Sequence, residues 1–429
     1  MDHNISIQFA DSHIEGEAPL PSSKSISNRY LILQFLADED FDLENLSESD
    51  DTRLMQKLLK KIDRQDEDPD DTTELDCQNA GAVIRFLTAL LAFRAGTWIL
   101  GSENPRMKAR PIGALVDALR SMGIEIEYLE EEGFPPIKFS GRPEILQSQD
   151  SIVQVDAGQS SQFVSALMMV APLFARGLHI EMISETKVSL PYIQMTARLM
   201  QNCGTEVVFI DGNNMFLDGS LHAPAKTLIE ADWSSASYLY GLLALSDGGS
   251  LELPLLFEDS VQGDCIIANW FEELGVETEF LEDRVIIRKN PDIPVDLSPK
   301  EYDFVHHPDL AQTMAVVCAA LGIEVELTGI FGLKYKETDR IVALRNELER
   351  IGARIESSET ENSNRLHIYP SQLHPQTELI RTYRDHRMAL SFAILAIKYG
   401  NITIEDKDIV QKSFPDFWSV MKKLGAKLS

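Results

Sequence analysis

Five times along the chain an apolar run of helical character ends in glycine and passes into alternating apolar and polar positions. The five junctions are Gly123-Ile124-Glu125-Ile126, Gly204-Thr205-Glu206-Val207, Gly275-Val276-Glu277-Thr278, Gly352-Ala353-Arg354-Ile355 and Gly425-Ala426-Lys427-Leu428. Glycine just past a helix end takes the left-handed cap, and alternation marks a half-buried strand. A second series interleaves with the first at Gly96-Thr97-Trp98-Ile99, Gly177-Leu178-His179-Ile180, Gly249-Ser250-Leu251-Glu252, Gly322-Ile323-Glu324-Val325 and Gly400-Asn401-Ile402-Thr403. The repeating unit is therefore helix, glycine, strand, loop, helix, glycine, strand. Its period of about 75 residues exceeds that of solenoid repeats, so each copy is a small α/β unit rather than a solenoid rung.

Counting from Pro21, six units fit. The first is degraded: after Leu58-Leu59-Lys60-Lys61-Ile62 there is no glycine and no strand, only the acidic Gln65-Asp66-Glu67-Asp68-Pro69-Asp70-Asp71, which reads as a solvated loop. Six units predict an α/β (α+β) protein of two domains with three βαβαββ-like units each. The division is expected between Pro224 and Asp232, giving lobes 22–228 and 229–429, with 1–21 and its strand Ile5 to Phe9 joining the C-terminal lobe.

Polar residues fall at fixed places on this plan. The first helices of the units are expected to start at Ser22-Ser23-Lys24-Ser25, Gln78-Asn79-Ala80-Gly81, Gln159-Ser160-Ser161-Gln162, Asp232-Trp233-Ser234-Ser235, His307-Pro308-Asp309 and Arg384-Asp385-His386-Arg387, and most of these are good N-caps. The loops after the mid-unit strands carry Asp50-Asp51-Thr52-Arg53, Arg106-Met107-Lys108, Ser189-Leu190-Pro191-Tyr192, Lys336-Glu337 and Lys412. If the units share one orientation, helix N-termini converge, each with unpaired N–H groups and roughly half a positive charge. Such a site binds anions without net basic charge.

That matters because the chain carries 68 acidic and 39 basic residues, a formal net charge of −29. This balance argues against nucleic acid and anionic membrane surfaces as partners, and leaves a small anion held by a local cluster of Lys and Arg. The four cysteines, Cys77, Cys203, Cys265 and Cys318, form no CxxC pair and read as reduced thiols of a cytosolic protein with no zinc site. The N-terminal stretch has no signal-peptide pattern, and no run is long enough to span a membrane. Neither GxxxxGK[ST] nor GxGxxG occurs, which disfavours nucleotide enzymes of those types.

The candidate chemistry centres on Tyr335-Lys336-Glu337-Thr338-Asp339-Arg340. If this stretch opens a helix, Lys336 and Arg340 share a face and Glu337 neighbours Arg340, so a carboxylate lies between two cations. A charged helix face is more often simply solvated, and the hexapeptide gains weight only from its place in the repeat. Lys24 at a helix start opposes the helix dipole and so points to a bound anion, with Ser25 and Arg29 on one face; the alternative is an ordinary capped surface helix. Asn79-Ala80-Gly81, ahead of Arg85, allows backbone to approach a ligand, or is a tight turn. Ser160-Ser161-Gln162 reads first as a cap. Asp309 is either a cap or a general base, and His306 and His307 lack a metal-ligand pattern. Arg387 is a buried ion-pair partner or a carboxylate clamp, and Lys412 a surface lysine or part of the cluster.

On Ser23-Lys24-Ser25-Ile26-Ser27-Asn28-Arg29, Asn79-Ala80-Gly81, Pro105-Arg106-Met107-Lys108, Ser160-Ser161-Gln162-Phe163, Ser234-Ser235-Ala236-Ser237-Tyr238, Lys336 to Arg340, Asp385-His386-Arg387-Met388 and Lys412-Ser413-Phe414-Pro415-Asp416, the chain resembles the 5-enolpyruvylshikimate-3-phosphate synthases over nearly its whole length. The resemblance implies a two-domain inside-out α/β barrel of six similar units. It implies transfer of the enolpyruvyl group of phosphoenolpyruvate to the 5-hydroxyl of shikimate 3-phosphate with release of phosphate, by a cytoplasmic monomer that uses no metal or cofactor. By the same resemblance, Lys24, Ser25, Arg29, Ser160, Ser161, Gln162, Ser189, Tyr192, Asp309 and Lys336 contact shikimate 3-phosphate. Lys24, Gly81, Arg106, Gln162, Arg340, Arg387 and Lys412 hold phosphoenolpyruvate. Lys24 is also counted among the catalytic residues, Asp309 takes the 5-hydroxyl proton, and Glu337 gives a proton to the methylene carbon and takes it back.

Three positions depart from the family pattern. Ala82 stands where Thr is usual, Phe86 where many members have Pro, and Gly332 where Asn is usual; the first two touch the phosphoenolpyruvate pocket and glyphosate sensitivity. Two other readings compete. The UDP-amino-sugar enolpyruvyltransferases resemble this fold but carry a reactive Cys in a loop, which the Arg106-Met107-Lys108 segment lacks. A non-catalytic relative would keep the pocket without the acid and base, whereas Lys24, Asp309 and Glu337 are all present.

Overall fold

The computed structural model describes residues 3–37, 39, 41–64, 72–147, 151–224, 227–360 and 363–429. The chain divides into two compact units, one formed by Lys24–Ile229 and one by Met1–Ser23 together with Glu230–Ser429.

Both units are built from one four-stranded sheet plan. Two parallel strands joined through a helix are followed by a second helix and an antiparallel pair. In the Lys24–Ile229 unit the sheets run Thr72–Asp76, Thr97–Gly101, Ile137–Ser140, Ile126–Tyr128, and Ile152–Val155, Leu178–Met182, Asn214–Asp218, Glu206–Phe209. The other unit has three sheets. One runs His13–Glu17, Gly248–Pro254, Arg284–Lys289, Glu277–Phe280; the next Lys300–Asp303, Val325–Thr328, Ser363–Tyr369, Arg354–Thr360; the last Leu379–Ile380, Ile402–Ile404, Ile5–Phe9, Ala426–Leu428. The N-terminal segment thus supplies strands to two sheets. Ile5–Phe9 lies antiparallel between Ile402–Ile404 and Ala426–Leu428, and His13–Glu17 runs parallel to Gly248–Pro254.

The repeat nearest the N-terminus keeps its helices, Lys24–Leu36 and Asp50–Arg64, but its described residues join none of these sheets. Among the described residues its extended pairings are the isolated bridges Ser22 to Ala231 and Glu44 to Leu228, and the strand after its second helix, Thr72–Asp76, opens the next sheet. The acidic loop expected at Gln65 to Asp71 lies outside the described residues.

All ten glycines expected at helix ends have positive φ. Gly322 caps Ala311–Leu321 in the left-handed region at φ 76, ψ 26. Gly249 is needed for a second reason: a Cβ there would lie 1.8 Å from the Ile14 carbonyl oxygen of the neighbouring parallel strand.

The two helices of a repeat differ in pattern because they differ in surroundings. The first is surrounded by protein. All thirteen residues of Trp233–Leu245 are buried, as are ten of the eleven of Ala311–Leu321, so neither needs a polar stripe. The second covers its sheet with one face: Arg340–Arg350 buries Arg340, Ile341, Ala343, Leu344, Glu347 and Leu348, the spacing of an amphipathic helix.

Within each unit the three first helices pack on one another. In one unit Ser237 Oγ, Thr313 Oγ1 and Ser391 Oγ meet at 3.0 and 3.3 Å, all buried and all within the first six residues of their helices Trp233–Leu245, Ala311–Leu321 and His386–Ala393. In the other, Arg29, sixth residue of its helix, reaches Ser165, fifth residue of Ser161–Val170. Helix starts therefore gather inside each unit, which is what brings their polar residues together.

Candidate active site

In the Glu230–Ser429 unit the helix Arg340–Arg350 begins on its own cap: the Asp339 side chain accepts from Val342 N–H. This corrects the expectation that Lys336 lies on the helix. Lys336 is extended, after a 3-10 turn at Phe331–Tyr335, and reaches the site from the loop.

Arg340, 1% exposed, is the hub. Its Nε donates to Asp385 Oδ2 at 2.7 Å, Nη2 to Glu337 Oε2 at 2.8 Å, and Nη1 to Asp309 Oδ1 at 3.1 Å. Asp309 Oδ2 lies 2.8 Å from Arg387 Nη2, and its Oδ1 3.8 Å from Lys336 Nζ. Glu337 Oε1 lies 3.8 Å from Lys412 Nζ. Arg387 also donates to Tyr238 Oη at 3.0 Å. Six of the residues read from sequence, Asp309, Lys336, Glu337, Arg340, Arg387 and Lys412, thus form one cluster. Asp385 completes it, so four cations face three carboxylates and leave an excess positive charge. Asp309 is not a helix cap, since Leu310 holds that position and makes no side-chain cap.

The electrostatics follow from burial and partners. Burial alone would lower the pKa of Arg340, but Asp385, Glu337 and Asp309 outweigh it and hold the guanidinium above its ordinary range. Lys336 is pushed down, first by loss of water and then by Arg340 and Arg387, with Asp309 and Glu337 acting in the opposite sense. Burial raises Tyr238 to about 12, so it stays a neutral hydroxyl beside Arg387.

The Lys24–Ile229 unit holds a different arrangement. Lys24, first residue of its helix, lies 3.2 Å from Asp51 Oδ2. Arg29 donates from Nε to Thr196 Oγ1 at 2.7 Å, from Nη1 to the Ser25 carbonyl at 2.9 Å, and from Nη2 to Ser165 Oγ at 3.2 Å and the Tyr192 carbonyl at 3.4 Å. The Phe86 and Tyr192 rings flank it at 5.3 and 5.9 Å. All these partners are neutral, and burial lowers its pKa to about 10. Phe86, a departure from the family pattern, is thus one wall of the Arg29 environment.

Ser160 caps Ser161–Val170 by accepting from Gln162 N–H, and Gln162 Oε1 accepts from Arg85 at 2.7 Å. Ser161, the first residue of that helix, is buried. Ser189 sits at φ 56 immediately before Leu190–Asn202, a left-handed conformation that serine adopts only at a cost. Gly81 opens the helix Gly81–Ala92, and a Cβ there would lie 2.4 Å from Arg110 Nη1.

Four residues of these clusters were missed in the sequence. Arg110, buried, is the cation over Gly81; Arg106, half-buried in the short helix Pro105–Lys108, lies four residues earlier. Asking which cation of that loop could reach Gly81 would have raised Arg110. Asp51 was noted in its loop without a partner. Asp385 looked like a cap only, and it is one, with Oδ1 accepting from Arg387 N–H at 2.9 Å. Tyr238 lies on a helix buried all round, where a phenol must find a polar partner.

Among the described residues no group of His, Cys, Asp and Glu could hold a metal ion, and no helix is long and apolar enough to cross a membrane. Acidic and basic groups interlocked at gathered helix starts are suited to small polyanionic molecules.

The comparisons narrow this class. The family model EPSP synthase (3-phosphoshikimate 1-carboxyvinyltransferase) matches residues 10–421. A Bacteroides fragilis protein named 3-phosphoshikimate 1-carboxyvinyltransferase is 40% identical over 418 residues, 97% of each chain. A Vibrio cholerae protein of the same name is 36% identical over 434 residues, 96% of this chain and 97% of its own. The solved structure of an Acinetobacter baumannii EPSP synthase superposes with a TM-score of 0.73 at 20% identity, covering 99% of both chains, which is a likeness of fold. The chain belongs to the EPSP synthase family.

Proposed function

We infer that this chain transfers the enolpyruvyl group of phosphoenolpyruvate to the 5-hydroxyl of shikimate 3-phosphate and releases phosphate. The observation that carries the assignment of roles is that Asp309 and Glu337 are both hydrogen-bonded to one guanidinium, that of Arg340, at 3.1 and 2.8 Å. The reaction needs two proton transfers at neighbouring atoms of an anionic complex, and two carboxylates on a shared cation are suited to it.

In this reading Asp309 takes the proton of the 5-hydroxyl as its oxygen attacks C2 of phosphoenolpyruvate. Glu337 gives a proton to C3, so the methylene becomes a methyl group and a tetrahedral adduct forms. In the second half C3 returns a proton to Glu337, the C2–O bond to phosphate breaks, Asp309 gives up the hydroxyl proton to the departing phosphate, and the enol ether and inorganic phosphate leave. Arg340, Arg387, Lys412, Lys24, Gly81 with Gln162, and Arg106 or the neighbouring Arg110 hold the carboxylate and phosphate of phosphoenolpyruvate. Ser25, Arg29, Ser160, Ser161, Gln162, Ser189, Tyr192 and Lys336, with Lys24 and Asp309, hold shikimate 3-phosphate. Arg29 supports that role because it is a buried cation among neutral partners, a setting that favours an incoming anion.

The test is phosphate release by purified protein. Release from phosphoenolpyruvate only when shikimate 3-phosphate is present is expected. Release with a UDP-amino sugar instead, or ligand binding without release, would overturn the assignment. The cytoplasm is the expected location and a monomer the expected state.

A further inference from the structure

We propose that Glu347 is a positioning residue that holds the turn Arg381–Arg384 and thereby aims Asp385 and Arg387; this rests on the enolpyruvyl-transfer reading above. Glu347 lies on the same helix as Arg340, two turns on, and is 0% exposed. Its Oε2 accepts the Arg381 backbone N–H at 3.0 Å and its Oε1 the Tyr383 hydroxyl at 2.8 Å. Arg350 Nη1 lies 3.0 Å from both oxygens, so the buried carboxylate has a counter-charge. Arg350 also donates to Glu378 and to the Leu379 carbonyl. One helix therefore grips the approach to the site helix at Glu378, Leu379, Arg381 and Tyr383, while Glu405 accepts from the Thr382 N–H at 3.1 Å.

The grip is needed because the turn is strained. Tyr383 and Arg384 are consecutive non-glycine residues at φ 55 and 56. Side chains are unfavourable there and persist only where surrounding contacts impose the conformation. The next residue is Asp385, and Arg387 follows two further on. Arg340 takes Asp385 at one end of its helix, while Glu347 takes the preceding turn further along. The polar partners of Glu347 and Tyr383 lie outside the charged cluster, so the effect of either passes through backbone geometry.

The experiment compares full-length Glu347→Gln and Tyr383→Phe with the parent. In Glu347→Gln the new amide would turn a donor toward Arg350 and toward either the Arg381 N–H or the Tyr383 hydroxyl, all three of which now donate to the carboxylate, whereas Tyr383→Phe removes one hydrogen bond from a folded protein and serves if the first variant folds poorly. We expect KM for phosphoenolpyruvate to rise about tenfold in Glu347→Gln, as for a displaced positioning group. In Tyr383→Phe a rise of about threefold is expected, as for one lost hydrogen bond. KM for shikimate 3-phosphate should rise less than KM for phosphoenolpyruvate, because Arg387 would reach that substrate only through Asp309. A merely structural role would lower the active fraction and leave both KM values alone. Amide hydrogen exchange at residues 381–387 should quicken in both variants while Ala311–Leu321 stays protected. Unchanged exchange in both variants overturns the proposal, and so does faster exchange with an unchanged KM for phosphoenolpyruvate. If the parent itself releases no phosphate, the functional reading fails, and the exchange measurement alone decides whether Glu347 holds the turn.

Discussion

Two buried arginines set the two charged clusters apart. Arg340 is enclosed by the carboxylates of Asp309, Glu337 and Asp385, and its pKa is held up. Arg29 is enclosed by hydroxyls, carbonyls and ring faces, and its pKa is lowered to about 10. The first is already neutralised and fixes Glu337 and Asp309, the proposed acid and base, relative to each other. The second carries its charge at the cost of desolvation, a setting that would favour an incoming anion. In the proposed function the same residue type would serve as scaffold in one unit and as receptor in the other.

Removing each arginine should separate these roles. Arg340→Met leaves three carboxylates without their shared partner, and breaking a buried pair in this way costs about 3–5 kcal/mol. We expect a clear fall in Tm together with loss of turnover by roughly three orders of magnitude or more, of the size seen when members of one catalytic group are lost together. Glu337→Gln keeps size and fold. It should cut kcat by about 10²–10⁴, the usual worth of a general acid or base, while shikimate 3-phosphate still binds within a few-fold of the parent by titration calorimetry. Equal losses in turnover and binding would mean that Glu337 only shapes the pocket.

Arg29→Met should do the reverse of Arg340→Met. KM for shikimate 3-phosphate should rise by roughly one to two orders of magnitude, the worth of a charge-assisted contact, while Tm shifts by only a few degrees because no carboxylate is stranded. A large fall in Tm would make Arg29 structural and collapse the contrast. The smallest effect concerns pH. Lys336 loses its proton below the ordinary lysine range near 10.4. As pH rises, the charged form is lost early, so affinity for shikimate 3-phosphate should fall on the alkaline side. Lys336→Arg should move that fall to higher pH, and a fall that stays in place would exclude Lys336 as its source.

Most of the architecture was legible because it is written in local signals repeated many times. The ten glycines mark the passages from helix to strand, since each takes a positive φ that other residues adopt at a cost. The sharing of strands was harder to read. His13–Glu17 pairs with Gly248–Pro254 across more than half the chain, and no local pattern encodes such a partner. Charged residues announced themselves by type, and Asp309, Glu337, Arg340, Arg387 and Lys412 fall in one cluster. Their pairing was not legible. Asp385 reads as a cap and is also a ligand of Arg340, two roles for one carboxylate that only geometry separates. Lys336 was placed on a helix because spacing alone cannot tell a helix from the loop before its cap. Arg110 was passed over because it lies in the same basic stretch as Arg106, and its place over Gly81 shows only in three dimensions.

The reaction in deuterium oxide tests the central claim most directly. If Glu337 protonates C3 and later removes a proton from the resulting methyl group, solvent deuterium must enter the methylene of the enolpyruvyl product and of recovered phosphoenolpyruvate. The account predicts incorporation by the parent protein in the presence of shikimate 3-phosphate and its near-complete loss in Glu337→Gln. Incorporation at the parental rate in that variant, or none in the parent during turnover, would contradict it.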